Sequence, residues 1–155
     1  MIGRHARSRA GFVSGMLAAP WTRAEERSIR EKAMEAIELL GIAEYAGTRT
    51  SALPFGIQRS VELARAVASE PKLLLLDEPA SGLNSRETGD LAALIDRIRG
   101  MGIAILVVEH DMSLVMDISD EVVVLDFGKK IAQGAPREIQ RNKAVIEIYL
   151  GEDDA

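Results

Sequence analysis

One segment constrains the fold more than any other: four consecutive leucines followed by two acidic residues, Leu73-Leu74-Leu75-Leu76-Asp77-Glu78-Pro79. A short apolar run of this kind predicts a β-strand that is buried on both faces, as in a parallel sheet. Asp77 and Glu78 stand where that strand ends, and open α/β sheets bind ligands at that end of their strands. One carboxylate there can hold Mg²⁺, and the next can polarise a water molecule as a general base. Without further context, a plain acidic turn is an equally good interpretation.

The segments around this strand alternate between strand and helix patterns. A helix is predicted before Gly41, and the capping box Thr22-Arg-Ala-Glu25 predicts where it begins. Strands are predicted at 72–76, 103–109, 121–126 and 129–132, with a tight turn at Phe127-Gly128 between the last two. Helices are predicted at 84–99, 113–118, 136–141 and 144–150, the first of them opened by a second capping box at Asn84-Ser-Arg-Glu87. This alternation predicts an α/β fold with a parallel sheet.

Composition excludes several kinds of protein. The chain has 155 residues, no cysteine and a formal net charge of −5. The length corresponds to one domain, and the missing cysteines exclude disulfide scaffolds, thiolate metal sites and thiol nucleophiles. The acidic balance argues against a nucleic-acid partner. No apolar run reaches the ~18 residues of a membrane-spanning helix. The N-terminal stretch resembles a secretory signal in its basic and apolar order, but glycine, serine and proline interrupt it.

Two further segments hold residue types that bind phosphate or move protons. Pro54-Phe55-Gly56-Ile57-Gln58 leads into a strong helix-forming run, and a helix start presents free amides and a positive dipole end to anions. Glu109-His110-Asp111 ends the next apolar strand, so His110 can point into the same strand-end cleft as Glu78. Taken singly, the first is more often a simple helix start, and the second is more often a structural histidine.

Together these segments resemble the ATP-binding subunits of ABC transporters, in the order signature loop, Walker B, D-loop and H-loop. Gly56 and Asp77 lie 21 positions apart, and Asp77 and His110 lie 33 apart; both spacings suit the family. The resemblance implies that Asp77 positions Mg²⁺ through water, that Glu78 is the catalytic base, and that His110 contacts the γ-phosphate of ATP.

The resemblance also assigns two loops to contact with a second ATPase subunit. The signature loop would clasp ATP bound by that subunit, and the D-loop would meet the subunit itself. The signature loop consists of Pro54, Phe55, Gly56, Ile57 and Gln58, and the D-loop of Ser81, Gly82, Leu83 and Asn84.

Within the superfamily, the chain is most similar to ATPases of branched-chain amino acid uptake. The similar segments are residues 11–20, the Leu-Pro-Phe-Gly form of the signature loop, Ser81-Gly82-Leu83-Asn84 and the ending at 148–152. This implies an ABC importer subunit with ATP and Mg²⁺ as cofactors. Its partners would be transmembrane permease subunits and a second, identical or different, ATPase subunit, on the cytoplasmic face of the membrane. ATPases of urea import and lipopolysaccharide export have similar tails, so these systems are the alternative.

The chain departs from the family in two places. Pro54, Phe55 and Ile57 replace the serine, first glycine and glutamine of the common Leu-Ser-Gly-Gly-Gln loop. Ile57 removes a polar side chain near the partner's nucleotide, which predicts weaker contact across the subunits. The sequence also contains no Gly-x-x-x-x-Gly-Lys-Ser/Thr phosphate loop, whose amides and lysine are the main phosphate-binding groups.

We therefore expect the C-terminal part of an ABC ATPase domain, which is a P-loop NTPase fold. Residues 1–70 would form the helical subdomain with the signature loop. Residues 71–155 would form the second half of the RecA-like core and the closing helices. This chain alone is expected neither to bind ATP tightly nor to hydrolyse it. The alternative is a non-catalytic module for docking or dimerisation.

Overall fold

The computed structural model describes residues 20–150. Its elements follow in chain order, with two 3₁₀ turns after the first helix and a π-helical turn, Ile146–Leu150, at the end: α1 (Pro20–Leu39), α2 (Phe55–Val67), β1 (Leu73–Asp77), α3 (Ser85–Gly100), β2 (Ala104–Val108), α4 (Met112–Ile118), β3 (Val122–Asp126), β4 (Lys129–Gly134), α5 (Pro136–Ile139) and α6 (Lys143–Val145). The predicted order of strands and helices is confirmed, and the last predicted helix is divided between α6 and the π-helical turn.

The described strands form two separate pairs. β1 and β2 are parallel, in a register that places Leu75 opposite Leu106 and Asp77 opposite Val108. β3 and β4 form the predicted antiparallel hairpin around Phe127-Gly128. The parallel pair brings the carboxyl ends of β1 and β2 side by side, so the loops that follow them are neighbours.

Two hydrophobic clusters hold these pairs in place. The larger one packs α1, α2, α3 and α4 against one face of β1 and β2, and it includes Leu74, Leu91 and the fully buried Ile98. The smaller one packs α5 and α6 against the β3–β4 hairpin and includes Ile139 and Val145. The core of the described residues thus lies on one side of each pair of strands.

The prediction that β1 is buried on both faces is wrong. Leu74 is 6% exposed, whereas Leu75 is 66% exposed and Leu73 is also exposed. Successive side chains of a strand point to opposite faces, and helices of the described chain pack on only one of them. Leu106 and Val108 of β2 are exposed on the same side. We call the surface formed by Leu73, Leu75, Leu106 and Val108 the open face.

One predicted helix start is also wrong. Helix α1 already includes Pro20, so Thr22 lies inside the helix and is not its N-cap. The second capping box is confirmed. The Asn84 side chain accepts hydrogen bonds from the backbone N–H groups of Arg86 and Glu87, and the Glu87 carboxylate accepts from the N–H of Asn84. This cap fixes the point at which the loop after β1 becomes helix α3.

Candidate functional site

The acidic pair lies at the carboxyl end of β1. Asp77 is the last strand residue, and the N–H of Glu78 donates to the Val108 carbonyl at 2.9 Å, which extends the pairing with β2 by one residue. Glu78 has a φ of +43°, a left-handed conformation that is uncommon for residues other than glycine. Ser81 N–H then donates to the Glu78 carbonyl at 3.1 Å. The chain thus turns sharply at Glu78 and leaves its carboxylate exposed to solvent.

His110 approaches this carboxylate from the neighbouring strand. Its Nδ1 lies 3.9 Å from Oε1 of Glu78 and 3.8 Å from Oε2 of Glu109, and its side chain is 74% exposed. These separations are too long for hydrogen bonds. The structure thus places His110 close to Glu78 at the strand ends, as expected, while a shared cleft and their chemical roles stay predictions.

Glu109 is a residue whose importance the sequence reasoning missed. Its side chain is 1% exposed, although it follows the last residue of β2. Oε1 accepts a hydrogen bond from Ala80 N–H at 2.8 Å, and Oε2 accepts from the N–H of His110 at 3.0 Å and of Asp111 at 3.4 Å. Nothing in a single sequence separates a buried glutamate from the exposed acidic residues around it. The only available signal was its position at the end of an apolar strand.

The segment predicted as a signature loop begins helix α2. Pro54 is the N-cap, and no side chain among residues 20–150 caps the first amides of this helix. The side-chain amide of Gln58 instead donates to the Leu53 carbonyl at 2.9 Å. Gly56 lies so close to Glu87 that an added Cβ would be 2.9 Å from its Oε1. The start of α2 therefore presents free N–H groups beside helix α3.

This segment also contacts the predicted D-loop of the same chain. The ring of Phe55 lies against Gly82, where an added Cβ would be 3.1 Å from its Cε1. The guanidinium of Arg59 lies 5.3 Å from the centre of that ring, and its Nη2 donates to the Ser81 carbonyl at 3.5 Å. The side chains of Phe55 and Arg59 thus connect the segment that contains the predicted signature loop to the predicted D-loop.

A groove of about 480 Å³ separates the start of α2 from the start of α3. Pro54, Gly56 and Ile57 line one side, and Leu83 and Asn84 contribute to the other. Ile57 is only partly exposed, because it also packs against the larger hydrophobic cluster. The isoleucine that departs from the family pattern therefore has a packing role at this position.

The donor set at the strand ends limits how a metal ion can bind. Within residues 20–150 no three histidine, aspartate or glutamate side chains lie close enough together to hold a metal ion. Mg²⁺ is commonly bound by one or two carboxylates together with substrate phosphates. Asp77 and Glu78 are two carboxylates at adjacent positions. No helix in the same described range is long and apolar enough to cross a membrane.

Comparison with known families gives two matches. A model described as "ABC transporter" matches residues 3–81, which is just over half of the chain. A model described as "Branched-chain amino acid ATP-binding cassette transporter" matches residues 129–155. The first includes the predicted signature loop, Walker B and start of the D-loop, and the second includes the hairpin strand β4 and the closing helices.

The names of individual proteins that are similar to this chain agree with these two family descriptions. The high-affinity branched-chain amino acid transport ATP-binding protein BraF of Pseudomonas aeruginosa is 40% identical over 98% of this chain. The lipopolysaccharide export system ATP-binding protein LptB of Haemophilus influenzae is 36% identical over 79% of it. The solved ADP conformation of an ATP-binding cassette of an ABC transporter covers 97% of the chain with a TM-score of 0.78 and 25% identity. The chain spans 60% of the length of BraF, 51% of LptB and 60% of that solved chain.

Proposed function

We propose a function from one premise: this chain belongs to the ABC transporter family. Its strand ends and loops would form part of the nucleotide site of an ATP-driven importer of branched-chain amino acids. The observation that carries the proposal is the approach of His110 to Glu78, 3.9 Å apart at the ends of two neighbouring parallel strands. That pair joins a potential general base to a group that can hold a proton or donate to phosphate.

Each side chain has a role that its position supports. Glu78 would polarise the attacking water, and its exposed carboxylate at a fixed turn leaves room for that water. Asp77 would hold Mg²⁺ through a water molecule, and His110 would contact the γ-phosphate. Bound Mg-ATP would supply the phosphoryl group, and its Mg²⁺ would neutralise part of the negative charge of the phosphates. The protein's contribution is to hold these three side chains at adjacent strand ends.

The start of α2 would bind ATP held by a second ATPase subunit. Its first amides have no capping side chain among the described residues, and the positive end of a helix dipole favours phosphate oxygens. Gly56 lets the Glu87 side chain approach the backbone of this segment, and the D-loop residues Leu83 and Asn84 line the same groove. Phosphate would thus meet backbone N–H groups rather than the side chains found in the common form of this loop.

The transport system is inferred from family similarity. The C-terminal family match and the name of BraF favour branched-chain amino acids. Transmembrane permease subunits and a second ATPase subunit would be the partners, at the cytoplasmic face of the membrane. The division into a helical subdomain at 1–70 and a core portion at 71–155 belongs to the same proposal. The similarity to LptB makes lipopolysaccharide export the second candidate.

A cross-subunit binding experiment tests the nucleotide role. The labelled chain is mixed with BraF, and their association is measured by fluorescence anisotropy with and without Mg²⁺ and a non-hydrolysable ATP analogue. We expect association to depend on the nucleotide. Pro54→Asp should weaken it about tenfold or more, because an aspartate at the N-cap occupies the amides that phosphate needs. Pro54→Ala, which adds no oxygen acceptor, is the matched control.

Other outcomes lead to different conclusions. Association that is equally strong without nucleotide would favour the non-catalytic docking module. Equal effects of Pro54→Asp and Pro54→Ala would contradict phosphate binding at the start of α2. The transport system is tested separately, by capture on permease subunits of a branched-chain amino acid importer and of a lipopolysaccharide exporter. Stronger capture by the exporter would overturn the solute proposed above.

A further inference from the structure

We propose that Glu109 is a positioning residue that links the D-loop to the segment after β2. This segment, residues 109–111, is called the His110 loop. A displacement of the D-loop would then move the backbone that carries His110. The functional significance of this link rests on the proposed function, because that function places a partner subunit at the D-loop and phosphate at His110. The link itself is a property of the free chain.

The hydrogen bonds of Glu109 divide between the two loops. Oε1 accepts from Ala80, the residue before the D-loop, and Oε2 accepts from His110 and Asp111. Ala80 and Glu109 are 29 positions apart in sequence, so the carboxylate adds a side-chain connection just beyond the last backbone hydrogen bond between these segments, from Glu78 to Val108. The two oxygens of the Glu109 carboxylate therefore bind different segments: one accepts from the residue before the D-loop, and the other accepts from residues 110 and 111.

Burial makes this link difficult to replace by water. The Glu109 side chain is 1% exposed, so its carboxylate is largely shielded from water and depends on these N–H groups for its hydrogen bonds. The imidazole of His110 is by contrast mostly exposed, and its Nδ1 lies within 4 Å of both Glu78 and Glu109. The backbone of His110 is therefore held while its ring stays free to contact a ligand.

The D-loop is connected to the other end of the link. Leu83 N–H donates to the Ala80 carbonyl at 3.0 Å, and the Leu83 side chain packs against the larger hydrophobic cluster. A substitution that displaces Leu83 should therefore move the backbone of Ala80. Movement of the Ala80 amide should in turn move the Glu109 side chain that accepts its hydrogen bond. From Glu109 it reaches the amides of His110 and Asp111, which are the last step of the proposed path.

Glutamine at position 109 is the informative substitution. Its side chain has nearly the same shape but offers one acceptor oxygen and one NH₂ donor. The NH₂ group would face a backbone N–H on one of the two loops, so one of the two connections must break. Glu121→Gln is the matched control, since Glu121 is an exposed glutamate that accepts a hydrogen bond from Gln133 in the β3–β4 region.

Nuclear magnetic resonance of the full chain tests the link without nucleotide. Leu83→Ala is introduced into the wild-type, Glu109→Gln and Glu121→Gln chains, and the Cε1–Hε1 signal of His110 is followed. We expect Leu83→Ala to shift this signal in the wild-type and Glu121→Gln chains, and to shift it less than half as far in Glu109→Gln. Equal shifts in all three chains would show that Glu109 serves only stability and would overturn the proposal.

A second measurement does not depend on any variant. Hydrogen exchange of the wild-type chain, corrected for intrinsic rates, reports how often each amide opens. If one carboxylate joins both loops, the amides of Ala80 and His110 should open together, with protection factors that agree within about threefold. Protection that differs by more than about tenfold would contradict the link. Failure of the proposed function would instead appear as nucleotide-independent association with BraF, so the two failures are distinguishable.

Discussion

Adjacent leucines of strand β1 should differ sharply in their effect on stability. Leu74 is 6% exposed in the larger hydrophobic cluster, and its neighbour Leu75 is 66% exposed on the open face. Both residues have the same side chain and lie in the same strand. Leu74→Ala and Leu75→Ala are therefore a matched pair in which burial is the main difference.

The expected magnitudes follow from that burial. Truncation of a buried leucine removes its transfer free energy and leaves a cavity, which lowers the free energy of unfolding by about 2–5 kcal/mol. Leucine to alanine removes about three methylene equivalents at about 0.8 kcal/mol each when fully buried. Leu75 is about one-third buried, so its truncation should cost about 1 kcal/mol or less. The two variants should therefore differ by at least ~1 kcal/mol, and by more if the cavity at Leu74 does not collapse.

Urea denaturation followed by circular dichroism measures both free energies. The measurements are repeated at two protein concentrations at least tenfold apart, because self-association through the open face would also stabilise Leu75. Equal destabilisation by both variants at both concentrations would refute the reasoning. That result would mean that β1 is buried on both faces in solution, as its four leucines first suggested.

Three further predictions concern the open face, a helix cap and nucleotide binding. The exposed apolar side chains of the open face predict self-association in sedimentation experiments, and the double variant Leu75→Thr/Leu106→Thr should reduce it because it removes two of them. Sedimentation that is the same for both chains would show that this surface is not a site of association. Asn84→Ala should lower the free energy of unfolding in urea by about 1 kcal/mol through loss of the N-cap of α3, whereas an effect below ~0.3 kcal/mol would contradict the capping box. Calorimetric titration of the chain alone with Mg-ATP should show no micromolar dissociation constant, since the sequence contains no phosphate loop; micromolar binding would overturn that expectation.

The sequence allowed the elements to be predicted because their signals are local. Asn84 and Glu87 carry the whole capping box within four positions, and the turn at Phe127-Gly128 needs two residues with positive φ. The spacing of the acidic pair and His110 also allowed their proximity to be predicted, since parallel strands bring their carboxyl ends to one edge. Signals of this kind depend on a few neighbouring residues or on the topology alone.

Features that depend on tertiary packing were not predictable in this way. Which leucines of β1 are buried depends on which face the helices cover, and a uniform apolar run contains no alternation to reveal it. The role of Glu109 depends on the position of Ala80, which approaches it only through the pairing of β1 with β2. The contact of Phe55 with Gly82 likewise requires the fold to bring helix α2 to the loop after β1.

At Glu78, the substitution that would raise thermal stability would also remove the side chain proposed for catalysis, because the backbone there is left-handed. With a φ of +43°, this position would accommodate glycine at lower conformational cost, by roughly 1 kcal/mol. Glu78→Gly should therefore raise the melting temperature while it removes the carboxylate proposed as the general base. A directed-evolution screen that rewards heat resistance alone would favour this replacement, so any such screen of the chain should also select for nucleotide-dependent behaviour.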